Sequence, residues 1–210
     1  MLTAEKLKAM HVPETLLEAL TETFEKFDIN TPERQAAFIG QCSHESANFT
    51  KAQENLNYKD AALMALFGRH RISEADCHKY GRNDATGQKA DQDAIANHIY
   101  GGEFGLKNLG NTQEGDGARF KGRGYIQLTG RANYAKAGEA LGVDLCADPN
   151  LVATPRYAML TAGWFWKTHG CNEAADTLDA KLVTKKVNGG DLGLADRIAH
   201  TQQALDVLVA

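Results

Sequence analysis

The chain has 210 residues, a formal net charge of −4, 43% hydrophobic and 24% charged residues, the balance of an ordinary globular domain with enough length to bury a substantial core. No run of about 18 apolar residues occurs, so membrane insertion is not expected, and the mild acidity argues against a general nucleic-acid binder. Cys42, Cys77, Cys146 and Cys171 stand far apart with no C-x-x-C pair, a pattern that reads as scattered buried thiols and not as a zinc site or a disulfide framework.

Helical signals dominate in chain order. Met1 to Val12 lacks the apolar stretch of a secretory signal, so synthesis and folding in a reducing cytoplasm are expected. Pro13 opens a segment in which Leu16, Leu20, Phe24 and Phe27 recur at helical spacing. Thr31-Pro32 is an N-cap followed by proline at the first helical position, where its missing N–H costs nothing. Along the helix that follows, Phe38, Cys42 and Glu45 share one stripe. Short helices are expected over 60–67, 73–80 and 91–100. Residues 101–124 hold eight glycines, too many for a helix interior, so a long surface loop or small irregular lobe is expected there. Residues 125–129 alternate and suggest a short strand. Helices then resume over 132–141, from Thr154-Pro155 to Gly170, over 178–187 and over 195–208. One catalytic domain over 1–210 is expected, with a core of about 32–205 and residues 1–31 as N-terminal helices packed on it.

Two carboxylates stand out. Glu45 lies in Gln41-Cys42-Ser43-His44-Glu45-Ser46, and Glu54 follows nine positions later in Glu54-Asn55-Leu56-Asn57-Tyr58. Acid/base cleavage of a sugar–sugar bond needs one carboxyl that keeps its proton and one that stays ionised. Apolar neighbours and the negative end of a helix dipole both disfavour charge, so Glu45 is expected to hold a proton. Asn55, Asn57 and Tyr58 give Glu54 the amides and aromatic face that sugars use. A nine-residue span reaches up to about 30 Å, so the separation of the pair is not fixed by sequence. His44-Glu45 fails as a zinc-protease motif, because that motif wants histidine where Asn48 stands; His44 itself reads as a hydrogen-bonding residue. A glycine-flanked run, Gly122 to Asn133, offers Gln127, Thr129 and Asn133 as short polar groups and matches no phosphate cradle. Arg119, Lys121, Arg123, Arg131 and Lys136 carry five positive charges with no acid among them. They are either a solvated basic face or a patch for an anionic polymer.

The motifs Cys42-Ser43-His44-Glu45-Ser46, Glu54-Asn55-Leu56-Asn57-Tyr58, Phe120 to Tyr134 and Val187-Asn188-Gly189-Gly190 together resemble glycoside hydrolase family 19, in its phage endolysin branch more than in the plant chitinases. The resemblance covers about 32–205. It implies a mainly α, lysozyme-like fold with two lobes flanking a substrate cleft, a short β element at most, and an inverting mechanism with no metal and no cofactor. It places the general acid on Glu45 and the water-activating carboxylate on Glu54. Substrate contacts then fall on His44, Asn57, Tyr58, Gln127, Thr129, Asn133, Asn188 and Arg197. Thr129 stands where chitinases commonly have serine, and the plant-type cysteine pattern is absent. The function expected from this resemblance is that of a monomeric endolysin that hydrolyses the β-1,4 glycan backbone of peptidoglycan, held in the host cytoplasm until its release to the wall. A chitinase on the same scaffold, a lytic transglycosylase and a glycan-binding protein without catalysis are the alternatives.

Overall fold

The computed structural model describes residues 1–210. Its helices are α1 (Ala4–Ala9), α2 (Leu17–Lys26), α3 (Pro32–Glu45), α4 (Asp60–Leu66), α5 (Glu74–Tyr80), α6 (Gln92–Ile99) and α7 (Gly102–Phe104). They continue as α8 (Asp116–Arg119), α9 (Arg131–Leu141), α10 (Pro155–Thr168), α11 (Cys171–Asp176), α12 (Ala180–Asn188) and α13 (Leu194–Val209). A single π-turn, Gly105–Leu109, extends α7. Extended pairing is limited to three isolated bridges, Lys59 with Arg82, Asn83 with Gln88 and Arg123 with Leu128. The chain is therefore mainly helical, as its periodicity predicts.

Two compact units divide the chain. The first comprises residues 1–52, 123–128 and 150–210, and the second comprises 53–122 and 129–149.

In the first unit, Thr31 caps α3 as its sequence predicts, accepting from the Arg34 N–H at 3.2 Å. The core is an edge-on aromatic stack: Phe38 meets Phe24 at 5.8 Å and Trp166 at 5.4 Å between ring centroids. The buried polar atoms of this core are paired. The Trp166 indole donates to Asn172, whose amide donates to the Phe27 carbonyl. Helix α13 packs along α3 so closely that a Cβ at Gly40 would lie 2.1 Å from the Thr201 hydroxyl and 2.8 Å from its backbone nitrogen. Glycine at position 40 therefore sets how near α13 can come to α3. Thr23, buried beside the same core, turns its hydroxyl back to the Ala19 carbonyl.

The strand expected at 125–129 does not form. Tyr125 and Ile126 are buried in a tight turn closed by the Arg123–Leu128 bridge, and Gly124 takes φ +95°. The Tyr125 N–H donates to the Ala158 carbonyl of α10, so its backbone partner is a helix and not a neighbouring strand. Its ring sits edge-on to Phe49 at 5.0 Å. Alternating apolar residues here reflect burial in a turn. Helix α11 has no counterpart in the sequence pattern: Gly170 adopts a left-handed conformation and starts a new helix where the pattern suggests only a stop.

The second unit packs Leu56, Leu63, Ile72, Cys77, Ile95, Ala96 and Ile99, with Tyr58, Phe67 and Tyr100 against them. Its glycine-rich part is more ordered than a long loop. The glycines break it into α7, the π-turn and α8, helical pieces of three to five residues. What holds these pieces is Asp116, which is 2% exposed and takes two 2.8 Å bonds from the Arg131 guanidinium. It also accepts the N–H groups of Thr112 and Gln113. Burial alone would raise the Asp116 carboxyl, but the Arg131 pair and those two N–H groups outweigh it and hold the carboxyl below the usual range.

That depression fixes the sign of a pH effect. The Asp116 contribution is complete above the unfolded carboxyl value of about 3.9 and is lost as pH falls through the lower folded value. Asp116→Asn should cost about 3 kcal/mol at neutral pH by denaturant unfolding. The gap from the unsubstituted protein should narrow below about pH 4. A pH-independent gap would contradict this assignment.

Candidate active site

The first unit places Glu45 at the last residue of α3. The apolar stripe predicted for it holds for Phe38 and Cys42, both fully buried, but ends before the carboxylate. Glu45 Oε1 lies 2.6 Å from the Arg197 guanidinium, with the Glu45 side chain 23% exposed and that of Arg197 2% exposed. The environment is thus an ion pair at a helix end and not the apolar pocket expected, because α13 delivers a cation the α3 pattern cannot reveal. Arg197 is fixed on its other edges as well. Its Nε donates to the Leu192 carbonyl at 3.0 Å and one terminal nitrogen donates to Gln41 Oε1 at 2.6 Å. Burial, then the charge of Glu45, pushes the Cys42 thiol well above its ordinary range, which keeps it a neutral packing group. Burial likewise takes Cys171 up to about 12.

His44 turns away from its neighbour Glu45 in role. Its Nδ1 meets Asp196 Oδ2 at 2.6 Å; the carboxylate has no proton to give, so Nδ1–H is the donor. His200 approaches the other Asp196 oxygen at 3.5 Å. The His44 bond first, and then the charges of His200, His44 and Arg197, hold Asp196 below the usual carboxylate range. The His44 ring packs against Gly193, where a Cβ would come within 2.3 Å of it. Gln127 projects from the 123–128 turn with an exposed side chain, and Asn188 ends α12, also exposed.

The second unit carries Glu54 outside any helix, clamped from both ends. Its own N–H donates to the Gly122 carbonyl at 2.9 Å, while the Gly122 N–H donates to Glu54 Oε1 at 2.6 Å. The Tyr100 hydroxyl donates to Oε2 at 2.8 Å. These donors are uncharged. Burial, followed by the charge of Glu54 and this hydrogen bond, raises the Tyr100 phenol far above the tyrosine range, so it remains a donor at neutral pH. Tyr58 is half-buried, edge-on to Phe67 at 5.7 Å, and its phenol is raised by burial and then by Glu54. Asn57 is exposed; its N–H donates to Asn55 Oδ1 and its carbonyl accepts from Arg82. Asn133 Nδ2 donates to the Thr129 carbonyl at 2.9 Å, which ties those two residues together and leaves the Asn133 oxygen open.

Sequence reasoning misses Tyr100 and Gly122 as holders of Glu54, and Gln41 and Asp196 as holders of Arg197 and His44. Tyr100 is 46 positions from Glu54, a distance at which no local pattern carries a signal. The basic run from 119 to 136 does not form a uniform anion-facing patch. Arg119 caps the Cys146 and Ala147 carbonyls, Arg123 is 5% exposed and reaches Asn150, and Arg131 is spent on Asp116.

Comparison with known proteins places the chain among relatives of one family. A family model described as Glyco_hydro_19, chitinase class I, matches residues 103–184, a stretch that holds Gln127, Thr129 and Asn133 but neither glutamate. A glycosyl hydrolase family 19 domain-containing protein of Haemophilus influenzae is 34% identical over 188 residues, 89% of this chain and 86% of that protein. Chitinase 8 of Oryza sativa subsp. japonica is 36% identical over 118 residues, 43% of this chain and 45% of its own length. Among solved structures, a bacterial family 19 chitinase superposes with a TM-score of 0.58 at 20% identity, over 99% of this chain and 94% of that one. The fold and its chemistry are those of a glycoside hydrolase. The chain belongs to glycoside hydrolase family 19 and is chitinase-like.

The phenol assignments make a prediction that involves no substrate. In an alkaline absorbance titration of the native protein, Tyr100→Phe should leave the number of tyrosines ionising near pH 10 unchanged, since Tyr100 stays protonated there. Loss of one titrating phenol in the variant would contradict the assignment.

Proposed function

We propose that this enzyme hydrolyses the β-1,4 glycan backbone of bacterial peptidoglycan as an endolysin, with inversion at the anomeric carbon. Glu45 donates a proton to the departing glycosidic oxygen and Glu54 orients and deprotonates the attacking water. The observation that carries this reading is the contrast in how the two carboxylates are held. Glu54 accepts only from neutral donors, the Tyr100 phenol and the Gly122 N–H, which fix its orientation while supplying no full charge to neutralise it. Glu45 instead sits at the exposed edge of a buried guanidinium. In the proton-donating form Oε1 accepts from Arg197 while Oε2 carries the proton, and the negative charge left after transfer forms beside Arg197, which stabilises the product side.

Gln127, Asn188, Asn57 and the free oxygen of Asn133 supply amides for sugar hydroxyls and acetamido groups, and Tyr58 supplies an aromatic face. In this reading the protein works as a monomer, is made in the cytoplasm of the host bacterium and meets its substrate once the membrane is breached.

The similarity to plant chitinases favours a second reading, cleavage of β-1,4-linked N-acetylglucosamine polymers. An acidic 27 kDa endochitinase of Solanum lycopersicum is 55% identical, over 53 residues that make up 22% of its length.

Glu45→Gln keeps the shape and removes the transferable proton, so activity should fall by at least about 10²-fold, and Glu54→Gln should fall comparably. Mass spectrometry of digested peptidoglycan should show new hydrolysed reducing ends, and soluble chitooligosaccharides should be cut more slowly. Efficient chitooligosaccharide cleavage with untouched walls would establish the chitinase reading instead. Products bearing 1,6-anhydro ends, with Glu54→Gln still active, would mark a transglycosylase.

A further inference from the structure

Behind the Glu45–Arg197 pair lies a chain of polar groups that the reaction itself does not use. Arg197 passes one terminal nitrogen to Gln41 Oε1 at 2.6 Å, and Gln41 Nε2 donates to Thr184 Oγ1 at 3.0 Å. All three residues are buried: Arg197 and Gln41 are each 1% exposed and Thr184 is 0%. They come from three helices, α3, α12 and α13. Buried polar side chains held in this way are costly unless every partner is met, so the arrangement has one allowed orientation.

That orientation follows from hydrogen-bond inventory. Guanidinium offers donors and no acceptor, so only the oxygen end of the Gln41 amide can face Arg197. The NH₂ end then needs an acceptor on its far side, and the Thr184 hydroxyl is the group standing there. A flipped amide would set donor against donor at Arg197, and Thr184 gives the NH₂ end of the unflipped amide its acceptor. Gln41 and the Leu192 carbonyl together fix the guanidinium plane, leaving its remaining nitrogen aimed at Glu45. The choice of a neutral amide matters as well. Glu45 is the one carboxylate in ion-pair contact with Arg197, whose charge reaches Asp196 only without direct contact.

We propose that Gln41, set by Thr184, is a positioning residue that aims the Arg197 guanidinium at Glu45. This inference rests on the reading of Glu45 as the proton donor. Neither Gln41 nor Thr184 touches substrate; both act through Arg197. Other titratable groups around Glu45 are Cys42 on its own helix and the Asp196, His44 and His200 cluster at the start of α13.

The test compares Thr184→Val, Thr184→Ser, Gln41→Met and Gln41→Glu in the full chain, on whichever glycan the unsubstituted enzyme cleaves. Thr184→Val and Gln41→Met should lower kcat about 10- to 100-fold with KM within about twofold, the scale of misplacing a catalytic group. Thr184→Ser restores the acceptor and should restore most of kcat. Gln41→Glu sets a second carboxylate on Arg197 and divides its charge; the alkaline limb of the kcat profile should move up by about one pH unit. A loss that follows only thermal stability and vanishes at a temperature where the variants are folded would overturn the proposal. So would an unmoved alkaline limb in Gln41→Glu, or equal damage from Thr184→Ser and Thr184→Val. Glu45→Gln serves as the separate control. If that variant stays active, the acid assignment itself fails; if it is dead while Thr184→Val and Gln41→Met keep full kcat, only the positioning role fails.

Discussion

The pairing of Glu45 with a buried Arg197 is the interaction on which the arrangement at the end of α3 depends. It exists because α13 lies close enough along α3 for one side chain to reach two positions on the neighbouring helix. Gly40 sets that closeness, since any side chain there would collide with Thr201. Arg197 then meets Gln41 and Glu45, four residues apart and therefore one turn apart on the same face of α3. A buried guanidinium with all its edges bonded does not move freely. Glu45 consequently inherits a fixed position from a residue on another helix.

Glu54 reaches a comparable rigidity by a different route. It has no helix beneath it and no guanidinium holding its carboxylate. Its backbone is paired to Gly122 and its oxygens accept from a backbone N–H and a phenol. Phenol and amide orient a carboxylate without neutralising it, whereas a guanidinium contributes a full opposite charge. Two identical side chains are thereby given unlike surroundings by two different structural devices. The Asp116–Arg131 pair contributes indirectly, because it pins the short helical pieces that precede the Gly122 turn.

Much of this is legible in the sequence, for identifiable reasons. Local rules locate the Thr31 cap, the α3 stripe through Phe38 and Cys42, and the helix stop at Gly142, because each depends on residues within one or two turns. The order and spacing of the glutamate motifs indicate the family without any geometry. What local rules cannot supply are partners brought in by tertiary structure. Arg197 lies 152 positions from Glu45, and its presence replaces the apolar pocket that the helix pattern suggests. Tyr100 reads simply as the end of a helix. Residues 125–129 read as a strand from their composition, but Tyr125 and Ile126 are buried side by side in a turn and the Tyr125 N–H bonds to Ala158 of a helix. The basic run from 119 to 136 looks like a surface patch until Arg119, Arg123 and Arg131 are seen bonded to carbonyls, an amide and a carboxylate.

The central claim is that the two differently held glutamates attack and protonate in a single displacement. Proton NMR of a glycan at the moment of cleavage, before mutarotation, tests this most directly. A single displacement on a β-linkage predicts that the α-anomer of the new reducing end appears first and drifts toward equilibrium. First appearance of the β-anomer would mean a double displacement, through a sugar–enzyme bond or the substrate's own acetamido group, and the division of labour between Glu45 as acid and Glu54 as base would be wrong.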